Sequence, residues 1–307
     1  MDRYARRVNA TTTLSGGIAL ALLTAVCLAV VLLTEHSALA DALARVAWGP
    51  FAIAAAVYLG AHLVRALRMV IVLGDSARSM RDVVVAHAGT AAAAALVPFK
   101  LGELVRIVAF GRASKGPVHG LTAVWIERTF DAAVITAVGA GAMMLRPDAV
   151  AHIAPVWLVA AAFLIATAMA ITVLPENIGM VKAFLLRRYT TDWSLRALDA
   201  AHRLREALHA SRRLIRGKVA TLGMLTALLW LLEAVALAML VEGVVLTATG
   251  LTAGILSVLS HVVAPIGHAV QELDASLPIH RLVILTTLLG LFVAAAAYRT
   301  RRREEVI

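Results

Sequence analysis

Long apolar runs alternate with short polar segments along most of the 307-residue chain. A run of about 20 apolar residues crosses a ~30 Å bilayer core as an α-helix, because each residue adds about 1.5 Å. The first run is too long for a secretory signal peptide and no clear cleavage site follows it, so we interpret it as a retained span. The pattern predicts six spans: Leu14–Thr34, Ala47–Leu73, Leu121–Leu145, Val156–Leu174, Ala220–Val241 and Leu282–Tyr298.

Two further apolar stretches, Val83–Phe110 and Leu251–Leu273, are interrupted by proline and glycine. The break residues are Pro98 and Gly102 in the first stretch and Pro265 and Gly267 in the second. Proline removes a backbone donor and clashes with the preceding turn, which disfavours a continuous helix. Broken backbone is tolerated at membrane depth only where it is buried in protein or lines a wet cavity. We therefore predict two re-entrant helical hairpins; the alternative is that either stretch is an ordinary kinked span.

Lysine and arginine are concentrated in a few of the segments between these runs. They flank the first hairpin, are frequent in the segment 175–219 and occur again in the C-terminal tail. The other loops hold only Arg45, Arg146 and Arg281. Cytoplasmic loops of membrane proteins carry an excess of these residues, so both chain termini are predicted to be cytoplasmic. The first hairpin then opens from the cytoplasm and the second from outside, which is the pattern of an inverted repeat.

The composition supports an all-α integral membrane protein with a single polytopic domain over residues 1–307. Hydrophobic residues make up 61% of the chain and charged residues only 16%, whereas soluble domains are about half apolar and a quarter charged. The formal charge of +10 is explained by cytoplasmic cations beside anionic lipid headgroups, without a nucleic-acid partner. The predicted location is the cytoplasmic membrane.

The basic segment 175–219 is predicted to be cytoplasmic and amphipathic. Apolar or small residues recur with helical spacing at Leu198, Ala201, Leu204, Leu208, Ser211 and Ile215, with arginines between them. One interpretation is a helix that lies on the membrane surface with its arginines on anionic headgroups. The other is a helical linker that obeys the positive-inside rule.

Charged residues also occur inside the apolar runs, where each costs at least ~2.5–3.5 kcal/mol at the bilayer centre unless it is paired or hydrated. Glu103 and Arg106 are three residues apart, and Glu127 and Asp131 are four apart, so each pair shares one face of a helix. The candidate headgroup-binding residues are Arg65, Arg68, Lys100, Glu103, Arg106, Glu127, Arg128, Asp131 and Glu233.

Two interpretations of this charged cluster stay open. The charges could form a buried network that locks the first hairpin to the third span. Alternatively, some could face a lipid headgroup, with cations on its phosphate and carboxylates on any amine; arginine suits phosphate through its bidentate donors. Glu233 could likewise bind a headgroup or pair with an arginine of a neighbouring helix.

The sequence suggests neither a metal, a cofactor nor a catalytic set. His261 and His268 are seven residues apart, but Pro265 separates them and no third ligand has a supporting spacing. His87 and His119 are interpreted as packing or interface residues. No G-x-x-x-x-G-K-[ST] nucleotide-binding run is present. We therefore expect a protein that is not an enzyme.

Two short motifs give the chain a family resemblance. Residues 96–106 read LVPFKLGELVR and residues 126–131 read IERTFD. Together they resemble the pattern Pro-x-Arg-x-Gly-Glu-x-x-Arg, followed about 20 residues later by Glu-Arg-x-x-Asp, of the lysylphosphatidylglycerol synthase transmembrane region, a flippase-like domain family. The run LVRALR at 63–68 and the basic stretch before Trp230 and Glu233 are also similar. The chain departs from the family pattern at Lys100, where arginine is usual, and in the second hairpin, which lacks a Gly-rich stretch closely followed by Glu.

The resemblance implies movement of a polar-headed lipid between leaflets, either an aminoacylated phospholipid or a polyprenyl-linked glycan. It does not imply aminoacyl transfer here, because that activity belongs to a soluble synthase domain, which we do not expect in this chain. The alternatives are a membrane enzyme that acts on lipid headgroups and a scaffold subunit. Membrane lipids are the expected partners, and a second copy of the chain or a lipid-modifying enzyme remain open as protein partners.

Overall fold

The computed structural model describes residues 47–96, 101–145, 154–188, 192–242 and 277–304. Within these ranges almost the whole backbone is helical and no β-strand forms, which agrees with the predicted all-α membrane fold. The helices in these ranges are α1 (Trp48–Leu73), α2 (Met80–Leu96), α3 (Leu101–Ala113), α4 (Pro117–Leu145), α5 (Ala154–Thr172), α6 (Leu174–Arg188), α7 (Asp192–Ile215), α8 (Val219–Glu242) and α9 (Leu277–Glu304).

The predicted spans from the second to the sixth fall on α1, α4, α5, α8 and α9. By length and composition, two helical stretches of the described residues, Trp48–Ser76 and Val219–Ala236, are able to cross a membrane, and α5 with the start of α6 makes a third if the bent pair is one span. α4 is 29 residues long but carries three charged residues. The first predicted span and the second hairpin, with Pro265 and Gly267, lie outside the described residues.

The fourth predicted span ends in a bend that the sequence analysis did not predict. α5 stops at Thr172, and the helix resumes at Leu174 with its axis turned by 55°. Pro175 has no N–H to donate to the oxygen of Ile171, four residues earlier, and its ring clashes with that carbonyl, which accounts for a break at this position. Arg212 of α7 donates to the backbone oxygens of Ile171 (2.7 Å) and Thr172 (2.8 Å), so carbonyls left free at the end of α5 are satisfied.

α2 and α3 form a helical hairpin whose two outer ends lie side by side. The backbone nitrogen of Arg78 donates to the oxygen of Ala113 (2.9 Å), and that of Lys115 donates to the oxygen of Ser76 (3.0 Å). These bonds flank an antiparallel bridge between Ala77 and Ser114, and the two helices pack against each other. The stretch 80–113 therefore begins and ends at one place in the fold.

The break in this hairpin lies between Leu96 and Leu101. Gly102, predicted as part of the break, lies buried in the first turn of α3. Pro98 and Lys100 lie outside the described residues. The predicted interruption of the apolar stretch thus separates two helices, with the glycine on the helical side of it.

α3 and α4 pack against each other at a very close helix contact. A Cβ atom at Gly120 would overlap the carbonyl oxygen of Ile107 and the nitrogen of Gly111, and would lie 2.8 Å from the Gly111 Cα. Only a residue without a side chain permits this approach. The contact holds the two motif-bearing helices close together.

α1 and α8 form the most extensive helix pair among the described residues. Near the end of α1, a buried apolar cluster brings together side chains from α1, α2, α3, α4, α7 and α8. The C-terminal half of α7 contributes Leu214 to this cluster and also buries Leu208 and Ser211, whereas its N-terminal half is mostly exposed. The last turns of the basic segment are therefore packed on protein.

Candidate functional site

The charged motif residues meet where α1, α3 and α4 converge. Arg68 of α1 donates to Glu127 (2.8 Å) and to Asp131 (2.8 Å), which lie one turn apart on α4. Both carboxylates thus share a face, as their spacing of four residues predicted. The guanidinium also donates to the hydroxyl of Thr226 on α8 (2.9 Å), so a fourth helix joins the site.

The contacts continue through α3. Arg106 binds the second carboxylate oxygen of Glu127 and also donates to Glu103 (3.1 Å), three residues earlier on the same helix. Arg128 then bridges Glu103 (3.2 Å) and Asp131 (3.3 Å). The result is a closed ring of six alternating charges, in the order Arg68, Glu127, Arg106, Glu103, Arg128 and Asp131. We refer to these six side chains as the ion-pair ring.

The ring is sealed on one side and open on the other. The side chains of Arg68 and Glu127 are fully buried, and that of Arg106 is nearly so. Glu103 keeps 25% of its side-chain surface exposed and Arg128 keeps 38%. Solvent or a ligand therefore has access to the Glu103–Arg128 edge, while the Arg68–Glu127 edge is shielded.

The ring carries no net charge but does not use all of its donors. Three arginines oppose three carboxylates, so their burial leaves no uncompensated charge. Among the described residues, the Nε atoms of Arg68 and Arg128 are buried without a hydrogen-bond partner. Buried donors of this kind usually bind water or another ligand.

A second ion pair lies beside the ring, between α1 and α8. Arg65 donates to Glu233 over 2.7 Å, with side chains 20% and 15% exposed. Arg65 lies one turn before Arg68, and Glu233 two turns after Thr226, so both contacts use the same helix–helix face. The alternative in which Glu233 pairs with an arginine of a neighbouring helix is the arrangement observed.

Two buried histidines form a contact that sequence analysis missed. The Nδ1 of His62 on α1 and the Nε2 of His87 on α2 are 3.3 Å apart, and Tyr58 packs edge-on against His62 at 5.0 Å between ring centroids. His87 was interpreted as a packing residue, and its burial agrees with that interpretation. His62 is a single histidine in an apolar run, and its sequence neighbours gave no signal of this partner.

The candidate residues thus divide into three groups. Six form the ring, two form the adjacent pair, and Lys100 lies outside the described residues. In the structure, the three cations of the ring are Arg68, Arg106 and Arg128. The described residues contain no group of three or more His, Cys, Asp or Glu side chains able to hold a metal ion.

A comparison with known protein families identifies the family to which this chain belongs. A family profile described as the lysylphosphatidylglycerol synthase TM region matches residues 16–268. The chain belongs to this family. The match spans most of the sequence, includes every residue of the ion-pair ring, and agrees with the resemblance drawn from the two motifs. Membership in this family, together with the apolar helices, places the protein in a membrane and links it to lipid modification or flipping.

Two wider comparisons add no relative. No curated protein and no solved structure matches the chain significantly.

Proposed function

We propose that this protein is a lipid translocase that moves a polar-headed lipid between leaflets, with the ion-pair ring as its headgroup site. The observation that carries the proposal is the ring itself: six alternating charges within apolar helices, sealed at Arg68 and Glu127 and accessible at Glu103 and Arg128. The cargo class is an aminoacylated phospholipid, the lipid class named in the family description, or a polyprenyl-linked glycan.

Partner exchange at the open edge of the ring is the proposed binding step. Glu103 accepts hydrogen bonds from Arg106 and forms an ion pair with Arg128. A lipid phosphate can replace Glu103 on these two guanidinium groups, because arginine binds phosphate and carboxylate through the same donor geometry. The released Glu103 then offers its carboxylate to an amine of the headgroup. A zwitterionic headgroup leaves the charge balance of the site unchanged.

The proposed membrane arrangement has six spans, two re-entrant hairpins and both termini in the cytoplasm. The meeting of Ala77 with Ser114 supports the first hairpin, because a segment with adjacent ends leaves the membrane on the side from which it entered. Lipid tails would stay in the bilayer while the headgroup passes the ring. The proposed location is the cytoplasmic membrane.

The experiment is leaflet exchange in liposomes that contain the purified full-length protein. Headgroup-labelled phospholipids and an aminoacylated phosphatidylglycerol are followed by a membrane-impermeant quencher. The informative variant is Glu103→Gln, which keeps the side-chain shape but removes the charge at the accessible edge. The matched control is Asp199→Asn, which removes a carboxylate from an exposed ion pair on α7. We expect fast exchange in wild type and control, and exchange at least tenfold slower in Glu103→Gln.

A purely structural role for the ring is the competing interpretation, because each member already has two partners within it. In that case Glu103→Gln lowers thermal stability but, in folded protein, leaves exchange at the wild-type rate. Folded wild-type protein that exchanges none of these lipids would contradict the translocase proposal for the tested headgroups and favour a scaffold or an enzyme.

A further inference from the structure

A cavity of about 200 Å³ opens at one end of the bundle, away from the ion-pair ring. Its polar lining comes from Asp75, Ser76, His119, Arg213 and Lys218. These residues lie in the turn after α1, the first turn of α4, the last turn of α7 and the turn before α8. None of them belongs to the ring or to the two sequence motifs.

The cavity lies at the ends of two membrane-crossing stretches. Trp48–Ser76 ends with Ser76, which lines the cavity, and Lys218 directly precedes Val219–Ala236. Both segments leave the apolar core at this level, so the cavity lies at the depth of lipid headgroups. The basic segment adjoins it, which places the cavity on the side that the charge distribution predicts to be cytoplasmic.

The lining of the cavity is electropositive. Lys218 donates to the backbone oxygen of Ile71 (2.8 Å), which holds its ammonium group at the cavity. Gly74 makes room for it: its φ is +45°, and a Cβ atom there would lie 2.9 Å from the lysine Nζ. Arg213 is exposed and has no ion-pair partner among the described residues. Asp75 is the one carboxylate in the described lining, so the lining has two cations, Arg213 and Lys218, against one anion.

Nearby positive charges also act on His119. The pKa of its imidazole is lowered by burial and by the positive charges of Lys115 and Arg213. A neutral imidazole can donate one hydrogen bond to an anion. An anion beside it would oppose these effects and raise the pKa.

We propose that this cavity binds the phosphate group of an anionic phospholipid, with Arg213 and Lys218 as the charged donors and Ser76 and His119 as neutral ones. The volume suits a phosphate with part of its headgroup, since pockets for larger ligands hold about 300–1,000 Å³. A membrane lipid is favoured over soluble phosphate because the cavity lies where the spans end. Basic pockets at the cytoplasmic ends of membrane helices bind anionic headgroups in this way.

Lipid binding to the purified full-length protein in a neutral detergent tests the proposal. Short-chain phosphatidylglycerol, phosphatidylcholine and inorganic phosphate are titrated separately, and binding is read by native mass spectrometry. Arg213→Gln removes one charged donor and should weaken phosphatidylglycerol binding about tenfold, the usual effect of one charge-assisted hydrogen bond. The control Arg196→Gln makes the same change on α7, about 25 Å along the helix from Arg213, and should leave the affinity unchanged.

A second variant moves the affinity in the opposite direction. Asp75→Asn removes the carboxylate from the lining and should tighten phosphatidylglycerol binding, whereas Asp199→Asn, an equal charge change on exposed α7, should not. The imidazole resonances of His119 supply a separate readout, because the bound lipid should raise its pKa. Both variants can be judged on folded protein, since neither Arg213 nor Asp75 is buried.

Three outcomes would overturn the proposal. Equal weakening by Arg213→Gln and Arg196→Gln would indicate diffuse attraction to the basic helix. No preference for phosphatidylglycerol over phosphatidylcholine would exclude an anionic-lipid site. Inorganic phosphate that binds as tightly as the lipid would assign the cavity to a soluble anion. The proposal does not depend on lipid translocation, so a protein that exchanges no lipid would leave it unaffected.

Discussion

The guanidinium of Arg68 and the carboxylate of Glu127 meet over 2.8 Å with both side chains fully buried. The two residues are 59 positions apart in sequence, and each has a second charged partner in the ion-pair ring. A buried pair of this kind contributes little net stability over an apolar pair, but removing one partner leaves a charge without compensation. The contact therefore makes the packing of α1 against α4 sensitive to either residue.

Loss of Arg68 should destabilise the protein strongly. In Arg68→Met, Glu127 keeps Arg106 but Asp131 keeps only the partly exposed Arg128. We expect a loss of ~3–5 kcal/mol in the free energy of unfolding, as for other broken buried pairs. Denaturant unfolding in detergent, followed by tryptophan fluorescence, measures it. Arg203→Met, at an exposed pair on α7, should change stability by less than ~1 kcal/mol; similar losses in both variants would contradict the buried ring.

The close approach of α3 and α4 should not tolerate a methyl group at position 120. Gly120→Ala places a Cβ atom against the backbone of Ile107 and Gly111, which cannot move aside as a side chain could. We expect a loss of about 1–3 kcal/mol, typical of overpacking. Gly141→Ala, on the same helix with open space around it, should be neutral or stabilising by up to ~1 kcal/mol. Thermal unfolding of the two variants and the wild type measures both changes in stability.

The two ends of the α2–α3 hairpin should be joined readily by a disulfide. Ala77 and Ser114 lie opposite each other in an antiparallel bridge, where Cα atoms are about 4.5–5.5 Å apart, within disulfide range. In a Cys27→Ser background, the pair Ala77→Cys and Ser114→Cys should oxidise spontaneously, as seen by mass spectrometry of proteolytic fragments.

The matched control for this crosslink combines Ala77→Cys with Met144→Cys at the far end of α4. Position 144 is about 40 Å along α4 from its first residue, Pro117, and should form no crosslink. Single cysteines at the exposed neighbouring positions, Arg78→Cys and Lys115→Cys in the Cys27→Ser background, should be labelled by a membrane-impermeant thiol reagent from the same side of the membrane. Labelling from opposite sides would show that the stretch 80–113 crosses the bilayer.

The bend between α5 and α6 should depend on Arg212. Its guanidinium satisfies the carbonyls of Ile171 and Thr172, and charge-assisted hydrogen bonds contribute about 1.5–3 kcal/mol each. Arg212→Gln should lower the unfolding free energy by at least ~1.5 kcal/mol and broaden spin-label distances measured across the bend. Arg205→Gln, at an exposed position on α7, should do neither; unchanged distances in both variants would remove Arg212 from this role.

The local elements follow from the sequence to a large extent. The apolar runs predicted α1, α4, α5 and α8 within four residues of their ends and α9 within six, because a lipid-exposed helix must be apolar over its own length. The spacings of Glu103 with Arg106 and of Glu127 with Asp131 also predicted shared faces, since helical geometry alone sets them. The Pro/Gly interruption correctly separated two helices, although Gly102 lies inside the second one.

Only the tertiary structure decided which charges meet. Arg68 completes the ring, and Glu233 pairs with Arg65, because α1 packs between α4 and α8. Nothing in the sequence near Arg68 or His62 identifies a partner 59 or 25 residues away. The same holds for the turns that bring Arg213 and Lys218 to one cavity. Hydrophobic periodicity depends on neighbours along the chain, whereas ion pairs and cavities depend on how separate helices pack.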